Sequence, residues 1–79
     1  MKMPNIYVEK NASVHISTQI LNNVSIGSYT EIDANSMITF STIGPTCKIG
    51  KNVRIINSII GSGVVIADNC VIVGSIIWN

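Results

Sequence analysis

Ile26-Gly27-Ser28-Tyr29-Thr30-Glu31-Ile32-Asp33-Ala34-Asn35-Ser36-Met37-Ile38-Thr39-Phe40-Ser41-Thr42-Ile43 carries isoleucine after steps of six, six and five residues. Neither the 3.6-residue period of a helix nor the two-residue alternation of a simple strand gives such spacing. Working outward, the same spine runs back through Ile20, Val14 and Val8 and forward through Ile49, Ile55, Ile60, Ile66, Ile72 and Ile77. The repeat is 18 residues from Val8 to Ile26 and 17 in each of the next three turns, ending at Ile43, Ile60 and Ile77. A hexapeptide period is the signature of a parallel β-helix in which each hexad forms one side of a three-sided coil. The sequence therefore predicts an all-β, single-stranded parallel β-helix of about four coils of 17–18 residues over residues 8–79, with residues 1–7 as a lead-in.

Bulk properties fit that reading. A compact globule of 79 residues would be marginal, whereas a solenoid stabilises each coil through its neighbours. Hydrophobic residues make up 47% of the chain and charged residues 11%, which argues against disorder. No apolar run reaches the ~18 residues of a membrane span. The opening Met1-Lys2-Met3-Pro4 lacks the apolar stretch of a signal peptide. A net charge of +1 gives no electrostatic case for nucleic acid or an anionic membrane.

The aliphatic spine is position 1 of each hexad and is expected inside. Position 5 is also expected inside, and its occupants are small: Ala12, Thr18, Val24, Thr30, Ser36, Cys47, Val53, Val64 and Cys70. In the five-residue steps the same slot, otherwise inward, holds Thr42, Ile59 and Ile76; those steps turn the corner with one residue fewer, so their interior is expected to be filled differently. Position 4 is often Asn (Asn11, Asn23, Asn35, Asn52, Asn69), with Gly63 in the equivalent slot, as a corner needing positive φ requires. Stacking at about 4.8 Å places residues 17 apart above one another. It predicts columns Asn35/Asn52/Asn69, Ser41/Ser58/Ser75 and Gly27/Gly44/Gly61. Cys47 and Cys70 read as small buried hydrophobes on different walls, not as a disulfide, which fits a reducing, cytosolic compartment.

Outward positions 6 and 2 differ between sides. The second side carries Ser13, Glu31, Lys48, Val65 and His15, Asp33, Gly50, Ala67, and reads as solvated. The third side carries Gln19, Met37, Arg54, Val71 and Leu21, Thr39, Ile56, Val73, of which five are apolar. An apolar patch of that kind reads as a partner surface. Leu21, Met37, Ile56, Val71 and Val73 are the interface candidates, together with Trp78, which takes the slot held by Gly27, Gly44 and Gly61 one to three coils earlier. The partner would be another protein or a second copy, through the third side or the coil ends. Lys48, Lys51 and Arg54 form a small basic group that reads as solvated.

Groups able to do chemistry are sparse. His15 is the sole histidine, so a three-histidine zinc site is excluded. A catalytic histidine of the trimeric acyltransferase type would come with an extruded loop, and the rhythm is unbroken from Val8 to Ile77. Glu9, Glu31, Asp33 and Asp68 show no pairing by spacing, and no Gly-Lys phosphate motif is present. The expectation is a chain with no catalytic, cofactor or metal site.

One segment narrows the family. Phe40-Ser41-Thr42-Ile43-Gly44-Pro45-Thr46-Cys47-Lys48-Ile49-Gly50-Lys51-Asn52-Val53, followed by Asn57-Ser58-Ile59-Ile60, resembles the β-helix of the eukaryotic translation initiation factor 2B epsilon subunit. Asn5-Ile6-Tyr7 is similar to the stretch that opens that region, and Ser75-Ile76-Ile77-Trp78 to one of its serine-aliphatic-tryptophan turns. In that family the tryptophan often follows the Asn-Ser-x-Ile turn directly; here Gly61 stands there and Trp78 comes one coil later. The resemblance implies a left-handed coil. It implies a cytoplasmic, non-catalytic module for subunit assembly and contact with initiation factor 2, with exchange activity residing in a domain outside this sequence. The end at a new coil reads as a cut within a longer chain. Two alternatives stay open: the β-helical tail of a sugar-nucleotide pyrophosphorylase, and a truncated hexapeptide acyltransferase.

Overall fold

A computed structural model describes residues 5–78; the Met1–Pro4 opening and Asn79 lie outside the described residues. The chain winds as a parallel β-helix. The first coil contains β1 (Ile6–Val8), β2 (Ser13–Val14) and β3 (Gln19–Ile20). The second contains β4 (Val24–Ile26), β5 (Glu31–Ile32) and β6 (Met37–Thr39). The third contains β7 (Thr42–Ile43), β8 (Lys48–Ile49) and β9 (Arg54–Ile56). The fourth contains β10 (Ile59–Ile60), β11 (Val65–Ile66) and β12 (Val71–Val73), and β13 (Ile76–Ile77) opens the next turn. Every third strand pairs in parallel, giving three sheets: β1-β4-β7-β10-β13, β2-β5-β8-β11 and β3-β6-β9-β12. These are the first, second and third sides of the sequence reading. No helix occurs among the described residues.

The spine fills the axis. Ile26, Ile38, Ile43, Ile55 and Ile60 are fully buried, with Ile32, Ile49 and Ile66 close behind. Burying each such side chain is worth about 1.5–3 kcal/mol. Position 5 is inside as expected, but size is only half of its role. Thr30 Oγ1 donates to Gly44 O (2.7 Å) in the coil above and accepts the N–H of Cys47 (3.2 Å). Ser36 repeats this with Gly50 O (2.9 Å) and the N–H of Val53 (3.1 Å). Thr18 Oγ1 likewise donates to Asp33 O and accepts the N–H of Ser36. These hydroxyls tie coil to coil from within. Cys47 Sγ donates to Gly61 O (3.0 Å) in the same way, and both thiols are free.

The interior of the five-residue steps is indeed filled differently. Thr42, Ile59 and Ile76 point outward, and the inward slot is filled by Ser41, Ser58 and Ser75. Strand alternation is the reason: the residue directly before an inward position 1 must face out, and the one before that faces in. Ser41 Oγ donates to Thr39 O (2.8 Å) and accepts the N–H of Ser58 (3.1 Å). Ser58 Oγ donates to Ile56 O (2.9 Å) and accepts the N–H of Ser75 (3.2 Å). Of the predicted columns, the serines hydrogen-bond up the stack, and the asparagines supply backbone geometry.

Positive φ marks the corners. Asn11, Asn23, Asn35, Asn52, Asn69 and Gly63 have it, as predicted, and Tyr29 (61°) and Thr46 (58°) share that slot. In the short steps it moves one residue earlier, to Phe40 (49°), Asn57 (51°) and Gly74 (61°). That shift matters for the surface. With the bend delayed by a full strand residue and then made quickly, β6, β9 and β12 keep position 2 inside the strand as Thr39, Ile56 and Val73. On the first and second sides, β7, β8, β10 and β11 stop at position 1. In the upper three coils the third-side strand therefore runs one residue past the inward position 1, which the strands of the other two sides do not.

Candidate interaction surface

The third side presents two outward columns in register. Gln19 pairs with Met37, Met37 with Arg54, and Arg54 with Val71. Thr39 pairs with Ile56 and Ile56 with Val73, while the N–H of Leu21 below donates to Ile38 O (2.9 Å). Leu21, Val71 and Val73 are exposed, and Met37 and Ile56 half-buried, because inner coils are shielded from above and below. Five of the six candidates thus share one face. Trp78 does not. It follows β13 on the first side, 75% exposed, with its ring over Gly61.

The reversal at the short steps adds residues that the sequence reading missed. Ile59 and Ile76 stand outward on the first side at 47% and 63% exposure, beside Trp78. Counting back by alternation from Ile60 and Ile77 would have found them. Each is three residues beyond a third-side aliphatic, Ile56 and Val73, so apolar surface continues around the corner between the two sides. Phe40, 49% exposed, sits on that same corner.

The second side differs in chemistry. It forms a shallow open trough lined by Ser13, His15, Glu31, Asp33, Lys48 and Val65, among others. His15 is exposed, and its Nδ1 accepts the N–H of Ser17 (3.1 Å), which leaves the proton of the neutral ring on Nε2. Asp33 Oδ1 accepts the N–H of Ala34 (2.8 Å), and Asp68 Oδ1 that of Lys51 (2.8 Å). These carboxylates hold corners in shape. No cluster of three or more His, Cys, Asp or Glu side chains among the described residues is arranged to hold a metal ion. The geometry thus offers a surface for binding, with mixed polar groups on one side and aliphatic columns on another.

Against known families, residues 3–79 match the EIF2B subunit epsilon LbH domain. The chain belongs to this family. LbH denotes the left-handed β-helix, in line with the handedness that the resemblance implied, and the domain is that of a translation initiation factor. No curated protein matches the chain significantly.

Proposed function

We propose that this EIF2B epsilon-type β-helix is a non-catalytic assembly module of the cytoplasmic exchange factor for translation initiation. Its partners are other subunits of that complex and initiation factor 2. The observation that carries the reading is the third face, whose two adjoining columns hold Met37 and Val71 on either side of Arg54, and Leu21, Ile56 and Val73 with Thr39 among them. Aliphatic side chains held in register on a rigid sheet lose little conformational entropy on contact, which favours a protein partner over solvent.

The test is Ile56→Glu combined with Val73→Glu. Both side chains point away from the axis, so the circular dichroism and amide protection of the coil should stay as in the wild type. Association with the remaining exchange-factor subunits, followed by size-exclusion chromatography, should be lost. A double variant that still associates normally would remove the third face from the proposal.

A further inference from the structure

We infer that Arg54 makes the third face selective: it admits a partner protein that brings a carboxylate into an otherwise apolar contact, and it disfavours pairing of this face with the same face of a second copy. This rests on the third face being the interface and adds the kind of surface that it takes. Arg54 is exposed on β9, with Met37 below and Val71 above in register and Ile56 two residues along the strand. It is the one charged side chain among the eight outward residues of the face.

The chain has four acidic residues, and none stands on this face. Glu31 and Asp33 belong to the second side, Glu9 follows β1 on the first, and Asp68 is occupied with the N–H of Lys51 at a corner. Two copies packed third face to third face would bury the guanidinium among aliphatics with no carboxylate on either facing surface. An unpaired buried charge is strongly unfavourable. A foreign surface carrying one carboxylate converts that penalty into a bidentate, water-excluded ion pair. The aliphatic surround raises the strength of such a pair, because it lowers the local dielectric constant.

Two measurements test this. In sedimentation velocity, the wild-type chain and Arg54→Lys should remain monomeric as concentration rises. Arg54→Leu, with a fully apolar upper face, should dimerise, and adding Val73→Glu should reverse it. With the remaining exchange-factor subunits, Arg54→Leu should weaken binding on the order of tenfold or more, and Arg54→Lys by less. Salt should weaken the wild-type contact more than that of Arg54→Leu. A wild-type dimer that Val73→Glu abolishes, or Arg54→Leu that stays monomeric, overturns the exclusion of a second copy. Arg54→Leu that binds the subunits as well as the wild type overturns the carboxylate partner. If the Ile56→Glu, Val73→Glu double variant loses binding while Arg54→Leu keeps it, only the role of Arg54 fails. If the double variant also binds, the third-face reading fails first.

Discussion

The first and third faces share one spine and one strand spacing, yet only one of them can be written freely at position 2. On the first face that column begins at Glu9 and continues through Gly27, Gly44 and Gly61, capped by Trp78. A Cβ on Gly27 would lie 2.5 Å from Pro45 N and 2.6 Å from Gly44 C, both backbone atoms of the coil above. On the third face the corresponding residues are Thr39, Ile56 and Val73, which sit within strands and point away from the axis, Thr39 and Ile56 half-buried and Val73 exposed. Part of the difference lies in where the strand ends before the next corner. A five-residue step keeps position 2 within the strand (Thr39, Ile56, Val73), whereas before a six-residue step the strand ends at position 1. On the first face the glycines then lie against the backbone of the next coil, while on the second face His15, Asp33 and Ala67 stand at the same position. In the upper three coils the short step thus keeps the second outward column within the strand, and that column holds Ile56 and Val73, two of the residues proposed to bind.

The sharpest way to break this contrast is a single methyl group. Gly27→Ala should cost about 3 kcal/mol or more, because the atoms it meets are backbone and cannot swing aside. Thr39→Val, at the same hexad position on the third face, should change stability by no more than about 0.5 kcal/mol. Urea denaturation of both variants reads the pair directly. Equal effects would mean that the approach of the next coil does not govern position 2.

The short corners themselves depend on buried hydroxyls. Ser58 is 2% exposed and takes part in two hydrogen bonds, one within its own turn and one from the coil above. Ser58→Ala removes the acceptor for the N–H of Ser75; a fully buried donor so abandoned costs about 1–3 kcal/mol, and for the half-buried Ser75 the lower end, about 1 kcal/mol, is expected. Thr42→Ala, one position from Ser41 but facing solvent, should cost far less. Amide exchange at Ser75 is the local reading: it should accelerate in Ser58→Ala relative to the N–H of Ile59, which bonds to Ser75 O at 2.9 Å.

Much of this was legible from residue types alone. Thirteen aliphatics at fixed spacing leave one architecture, and the assignment of residues to the three sides follows from counting, as the pairings Lys48 with Val65 and Met37 with Arg54 bear out. What escaped the reading lies where a step is short. A fixed hexad label carries Ile59 and Ile76 to the inside, while the pleat carries them out, and only counting from the strand resolves the conflict. The bridging of Thr18, Thr30 and Ser36 was hidden for another reason: small size and hydrogen bonding select the same residues. The surface is harder still, since an aliphatic on a strand satisfies β-propensity whether or not a partner covers it.

Phe40 gives the smallest expected effect and the finest test of the corner. Its equivalents one and two coils later are Asn57 and Gly74, all three with positive φ, near 50–60°. Asn and Gly adopt this region readily, and a bulky side chain does so at a cost of roughly 1–2 kcal/mol. Phe40 is 49% exposed, so the buried part of the residue offsets some of that cost. Phe40→Asn should therefore stabilise the coil by about 0.5–1 kcal/mol, the backbone strain relieved minus the apolar burial that the ring provides. In a domain of this size that raises Tm by several degrees, about 4–8 °C per kcal/mol. A fall in Tm would mean that the ring contributes more to the corner between the first and third faces than its backbone costs. Phe40 would then belong with Ile56 and Ile59 as part of the packed surface, and the strained position would be a consequence of that packing.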